Sequence, residues 1–157
     1  MRFPLVILLV LLSLHGYSQN LDNYIQVISN TSLNFSLNTV AKIEADQTIS
    51  NALTLQLSSK DKNREVYARV SSVTSPSGFT LTSPYPVKLL FVSHNSSNVS
   101  NLVSTALQLT NTDQRLFSQK KLNSDVQFIY SLIFAATNWS YPPGNYSFTI
   151  LYTLTPP

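Results

Sequence analysis

Apolar residues at every second position limit what this chain can fold into more than any other feature. In "NYSFTILYTLTPP", Tyr146, Phe148, Ile150, Tyr152 and Leu154 fall on one side of an alternation. Ser147, Thr149, Thr153 and Thr155 fall on the other, with Leu151 the one exception. Successive side chains of a strand point to opposite faces, so only an extended chain sorts this stretch into an apolar face and a hydroxylated one. The same period returns in Leu33, Phe35 and Leu37, in Leu53, Leu55 and Leu57, and in Val66, Ala68 and Val70. It returns again in Val126, Phe128, Tyr130, Leu132 and Phe134. Tyr24 to Ile28 and Val87 to Val92 read as further strands, the second nearly all apolar and therefore central. Between them "SSKDKNRE" reads as a polar hairpin, while "TSPSGF", "TSPYP" and "YPPGN" put Pro and Gly where the backbone must turn. The expectation is an all-β fold, an immunoglobulin-like antiparallel β-sandwich of about 7–9 strands with Greek-key connections.

Two segments follow the alternation less well. In "SNVSNLVSTALQL", Val99, Leu102, Val103, Ala106 and Leu107 sit at helical spacing, yet Leu107 and Leu109 also begin an alternation. A loop or a single helical turn, followed by a strand, is expected there. "VAKIEADQTIS" reads as a solvated loop or sheet edge, in which Glu44 and Asp46 share one face if the segment is extended.

The first residues have a different character. Arg2 supplies a positive start, Phe3 to Leu14 is an apolar run, and Gly16 and Ser18 are the small residues of a cut before Gln19. The run is too short to cross about 30 Å of hydrocarbon as a helix. Residues 1–18 are therefore expected to be a signal peptide and 19–157 a single exported domain, placed in the periplasm, at the cell surface or outside the cell. The chain has no Cys, which rules out a lipid-bearing N-terminus of the lipoprotein kind. Without Arg2 the basic and acidic side chains nearly balance, so no electrostatic footprint for nucleic acid is expected. The processed chain is expected not to span a membrane.

The inventory of chemistry is thin. Beyond the export segment the chain has one His, His94, in the polar connection "FVSHNSSNVSN". Nucleophilic catalysis and metal binding both need partners that a lone His lacks. Glu44 and Asp46 are the closest pair of acids, and their nearest reading is a local charge pair beside Lys42. Lys60, Lys62 and Arg64 alternate with Asp61 and Glu65, as a solvated turn does. Three scattered Gly cannot build a phosphate cradle. No enzyme, cofactor or metal is expected. Asn-x-Ser/Thr triplets stand at Asn30, Asn34, Asn95, Asn98, Asn138 and Asn145, and in a chain this rich in Asn, Ser and Thr they read as compositional.

"NWSYPPGNY" places Trp139, Tyr141 and Tyr146 around a Pro-Pro-Gly turn. Two readings compete. Trp139 plugs the end of the sandwich, the favoured reading because a single Trp is usually largely buried. Alternatively Trp139 and Tyr141, with Tyr85, present flat faces to a glycan, as a secreted carbohydrate-binding module does.

"NALTLQLSSKDKNREVYARVSS", followed much later by "YPPGNYSFTILYTLT", resembles secreted bacterial β-sandwich proteins of the pilin-like, spore-coat-protein-U-like and WxL-like kinds. The resemblance covers Leu33 to Thr74 and Asp125 to Thr155. Two departures stand out: there is no Cys pair, and "VYARV" stands where a Trp-x-Leu would be. The resemblance implies a non-enzymatic structural or adhesive surface subunit whose partners are other protein subunits, a periplasmic chaperone and an outer-membrane usher. The assembly strands it suggests are Tyr24, Ile25, Val27 and Ile28 at one end and Tyr146, Phe148, Ile150, Tyr152 and Leu154 at the other. Tyr24 to Ile28 are expected to pair within their own chain, and Pro156 and Pro157 to blunt strand addition past the last strand.

Overall fold

The computed structural model describes residues 23–29, 34–76 and 78–157. The expected export segment, the cut before Gln19, and Leu33 lie outside the described residues. Strands β1 (Asn23–Ser29), β3 (Gln47–Ser59), β5 (Val87–His94), β7 (Leu107–Gln108) and β9 (Val126–Phe134) form one sheet, in the order β1-β3-β9-β5-β7. Strands β2 (Phe35–Leu37), β4 (Arg64–Thr74), β6 (Val99–Ser100), β8 (Gln114–Gln119) and β10 (Gly144–Thr155) form the other, in the order β2-β10-β4-β8-β6. All the pairings are antiparallel. The protein is an all-β, two-layer antiparallel sandwich.

Odd strands lie in one sheet and even strands in the other. Consecutive strands therefore never pair. Greek-key connections need some consecutive strands side by side, and the described strands have none. "SSKDKNRE" is likewise no hairpin: it is an arch carrying the chain from β3 in one sheet to β4 in the other. The arch is held by the 121–122 segment and by a pairing of its own residues. Lys121 N–H donates to Asn63 Oδ1 at 3.0 Å, Leu122 N–H to the Ser59 carbonyl at 3.1 Å, and Arg64 pairs with Asp61 at 3.1 Å.

The alternating apolar residues meet between the layers. Leu53, Leu55, Leu57, Val66, Ala68, Val126, Phe128, Leu132 and Phe134 are buried there, each large one contributing about 1.5–3 kcal/mol of transfer free energy. Aromatic contacts stitch the sheets together. Phe117 on β8 stacks on Phe128 of β9 with centroids 3.8 Å apart, and Phe35 on β2 meets Phe134 of β9 at 5.2 Å. Where strict alternation would carry an apolar residue outward, a bulge corrects it. On β4 the register passes from Val70 opposite Ile150 to Ser72 opposite Thr149, which leaves Ser71 without a partner across the ladder. That extra residue returns Val73 to the core side. On β3 the register shifts between Ile49 and Leu53, and Asn51 turns through φ 49° with its N–H donating to Ser131 Oγ at 3.1 Å.

"VAKIE" is neither a loop nor an edge. Val40–Glu44 form the short helix α1, capped by Thr39, whose hydroxyl accepts from Lys42 N–H, with Ile43 buried beneath. Leu102 to Ala106 form a loop with no helical turn, and the two-residue strand β7 follows. The helical spacing there arises because Val99, Leu102 and Leu107 reach the core from two short strands and the loop between them.

Candidate functional site

The two edges of each sheet end differently. Strand β1 lies at one edge and pairs along its whole length with β3, from Asn23 opposite Ser59 to Ser29 opposite Leu53. Its start is anchored by side chains. Tyr24 Oη donates to Asp125 Oδ2 at 2.5 Å and accepts from Gln56 Nε2 at 3.1 Å, while Arg64 Nε donates to Asn23 Oδ1 at 3.2 Å. The hydrogen bond from Tyr24 is the main reason the Asp125 carboxyl lies below the usual carboxylate range, and the same bond pushes the Tyr24 phenol up. Val27 and Ile28 are exposed.

In the opposite sheet, β2 covers only Gly144–Tyr146 of β10. From Ser147 to Thr155, β10 pairs with β4 on one side, and no described residue pairs with it on the other. β1 runs near β10 across the sandwich, so both exposed edges belong to one flank. Where β2 stops, a depression of about 390 Å³ is lined by Asn34, Thr74, Asn145, Tyr146 and Ser147. Among the assembly residues suggested by the sequence, Tyr146 is buried, with its hydroxyl donating to the Pro142 carbonyl at 2.7 Å. Phe148, Ile150, Tyr152 and Leu154 are only half-buried against the core. The last strand is thus less covered than its five-residue apolar stripe suggests. Leu151, on the solvent face, is 42% exposed.

The aromatic turn does not form a plug. Trp139 is 56% exposed, and Asn138 and Trp139 both take positive φ, 46° and 67°. Such angles are uncommon for bulky residues, and here they swing the indole outward. Trp139 Nε1 then donates to Glu44 Oε1 at 3.1 Å, and Asp46 Oδ1 accepts from Ala136 N–H at 2.7 Å. Glu44 and Asp46 therefore brace the 135–139 turn and do not act as one extended pair. Tyr141 and Tyr85 do not join Trp139 in a platform. Tyr141 packs on Phe79 and Tyr146 at 5.4 and 6.2 Å, and Tyr85 meets Phe148 edge-on at 6.2 Å. Gly144 (φ 148°) closes the turn where only Gly fits, since a Cβ would stand 2.5 Å from Pro76 Cγ.

His94 lies exposed beside Phe91 and Phe128, with ring centroids 5.7 and 5.4 Å away. No group of three His, Cys, Asp or Glu among the described residues is placed to hold a metal ion. Glu65 lies below the usual carboxylate range chiefly because Tyr67 Oη donates to it at 2.6 Å; Arg115 and Ser118 add further hydrogen bonds. It braces β4 against β8. No helix among the described residues is long and apolar enough to cross a membrane. The chain matches no family model, no curated protein and no solved structure.

The exposed edges escaped sequence reasoning because a strand's pattern reports which face it buries, not what lies beside it. The one legible sign was the absence of any charge from Gly144 to Thr155.

Proposed function

We propose that the protein is a non-enzymatic, exported structural or adhesive surface subunit of the pilin-like kind, acting through protein–protein contacts at its sheet edges. The observation behind this reading is the flank where β1 and the Ser147–Thr155 stretch of β10 both run without an outer neighbour among the described residues. Unpaired edge N–H and C=O groups form a ready template for another strand. The resemblance to secreted bacterial sandwich proteins supplies the bacterial setting and, as partners, other subunits, a chaperone and an usher. The test is photo-crosslinking in the producing cells. A crosslinking residue at position 27 or 151 should give discrete protein adducts, and one at position 92, exposed on β5 away from that flank, should not. Absence of adducts from both edge positions overturns the reading.

Trp139 favours a second reading as a carbohydrate-binding module. An exposed indole, fixed by Glu44, offers a stacking face with a carboxylate beside it. Retention on a glycan array that disappears in Trp139→Ala supports it; an array blank for the parent protein removes it.

A further inference from the structure

The open edge of β10 carries a pattern that fits itself. β2 holds the edge as far as Tyr146, opposite Phe35, and the strand ends at Thr155. Among the described residues nothing pairs with the outer side of Ser147–Thr155, a stretch with Leu151 at its midpoint. We propose that this edge pairs antiparallel with the same edge of a second copy of the chain, about a two-fold axis through Leu151. The proposal rests on the edge-contact reading above and names the edge, the register and the partner.

Four observations carry it. In this register Thr149 faces Thr153 of the second copy and Ser147 faces Thr155 on the solvent side, so hydroxyl meets hydroxyl, and cross-strand Thr pairs are favourable. Leu151, the one large apolar residue on that face, meets its own copy at the axis. On the inner side Ile150 faces Tyr152 and Phe148 faces Leu154, which covers side chains that one chain leaves half-buried. A two-fold interface must be self-complementary in this way.

Charge points the same way. No residue from Gly144 to Thr155 is charged, so self-pairing brings no like charges together. Natural edges are normally guarded by Lys, by inward charges, by Pro or by bulges. Here the bulge is displaced to Ser71 on the inner neighbour β4, which leaves the outer edge of β10 regular. Length agrees as well. A copied strand continuing past Thr155 would run opposite Tyr146, where β2 already sits, and Pro156 and Pro157 supply no N–H for further ladder bonds. The product is one continuous sheet, β6-β8-β4-β10 joined to its symmetric copy. With a single ladder as its contact, the interface sits at the small end of specific interfaces and associates reversibly.

Because the chain has no Cys, single cysteines test the register directly. Purified Leu151→Cys should crosslink to itself under mild oxidation. Thr149→Cys mixed with Thr153→Cys should crosslink at least about tenfold more than either variant alone, the pair facing each other at disulfide distance. In sedimentation, the parent should show a concentration-dependent dimer. Leu151→Lys should weaken it at least about tenfold by placing like charges opposite, an equimolar mixture with Leu151→Glu should restore it, and Val92→Lys should leave it intact. A parent that stays monomeric, with no crosslink from any of the three cysteines, overturns the proposal. Self-crosslinking through Val27→Cys but not through Leu151→Cys also overturns it, as do position-151 adducts in cells that contain only a different polypeptide. Those last two results leave the edge-contact reading standing, whereas loss of all edge adducts removes both.

Discussion

On one flank of the sandwich the outermost strands, β6 and β7, are two residues long each. On the other they are β1, seven residues, and three-residue β2, past which twelve-residue β10 runs with no outer neighbour among the described residues. The short flank is sealed by irregular chain that aims hydrogen bonds one at a time. Val103 N–H donates to the Leu116 carbonyl at 2.9 Å, Leu109 N–H to Val87 at 3.0 Å, and Tyr85 N–H to Leu109 at 3.0 Å. Inside it, Ser96 Oγ donates to Gln119 Oε1 at 2.7 Å, both residues buried. The long flank keeps its regular ladder, with no described residue bonded to its outer side. Sealing an edge breaks its periodicity, so regular alternation that survives on an outermost strand marks a surface available for contact.

If the flanks differ in this way, truncation should cost different amounts beneath each. Phe117→Ala, under the sealed flank, should destabilise by about 3–5 kcal/mol in urea unfolding. Ile150→Ala, under the open flank, removes a side chain that is only half-buried and should cost roughly 1–2 kcal/mol. Equal costs in the isolated chain would mean that the open flank is already filled.

The next effect has the opposite sign. Among the described residues the buried hydroxyls of Tyr130 and Tyr152 find no hydrogen-bond partner, and burial pushes both phenols well above their usual range. Tyr130→Phe and Tyr152→Phe remove an unsatisfied group at little cost in shape, so each should be neutral or stabilise by about 1 kcal/mol. The measurement is a shift of the urea midpoint at unchanged slope.

Acid should separate the flanks again. The folded carboxyls of Asp125 and Glu65 lie below their ordinary values. Their contribution is present above the usual carboxylate pKa of about 4 and is lost as pH falls through it toward the folded values. Asp125 anchors β1 and Glu65 anchors β4 to β8. Amide exchange at neutral pH should therefore find β1 opened in Asp125→Asn and protected in Glu65→Gln, and β1 of the parent should open as pH falls below the usual carboxylate range. Uniform opening in both variants would contradict separate anchors.

Trp139→Ala should be the mildest change, within about 0.5–1 kcal/mol, as for surface substitutions. A loss of several kcal/mol would return the indole to the core.

Strand content was legible because period two is a local property: Leu53 to Leu57, Val126 to Phe134 and Tyr146 to Leu154 all lie in strands. Partnership was not local and was misread. A short polar link such as "SSKDKNRE" has the composition of a hairpin, and nothing within it shows that its ends enter different sheets. Helix α1 was missed because five residues are too few to display a period, although Thr39 before "VAKIE" is a cap signal. Trp139 was misplaced because the burial habit of a residue type says nothing of a backbone at φ 67°. That Glu44 holds the indole outward follows from a contact 95 residues apart in sequence.

The strict shuttling of the chain between layers also bears on how the fold is reached. Among the described strands none can zip onto the one before it, so none of them nucleates a sheet as a local hairpin. β1 waits for β3, β3 for β9, and β2 for β10. Non-local pairing of this kind places folding in the slow, millisecond-to-second range of β domains. Because β10 stands between β2 and β4, one sheet has no centre until the last described strand arrives, and for that interval the exposed β4 ladder is itself in search of a strand.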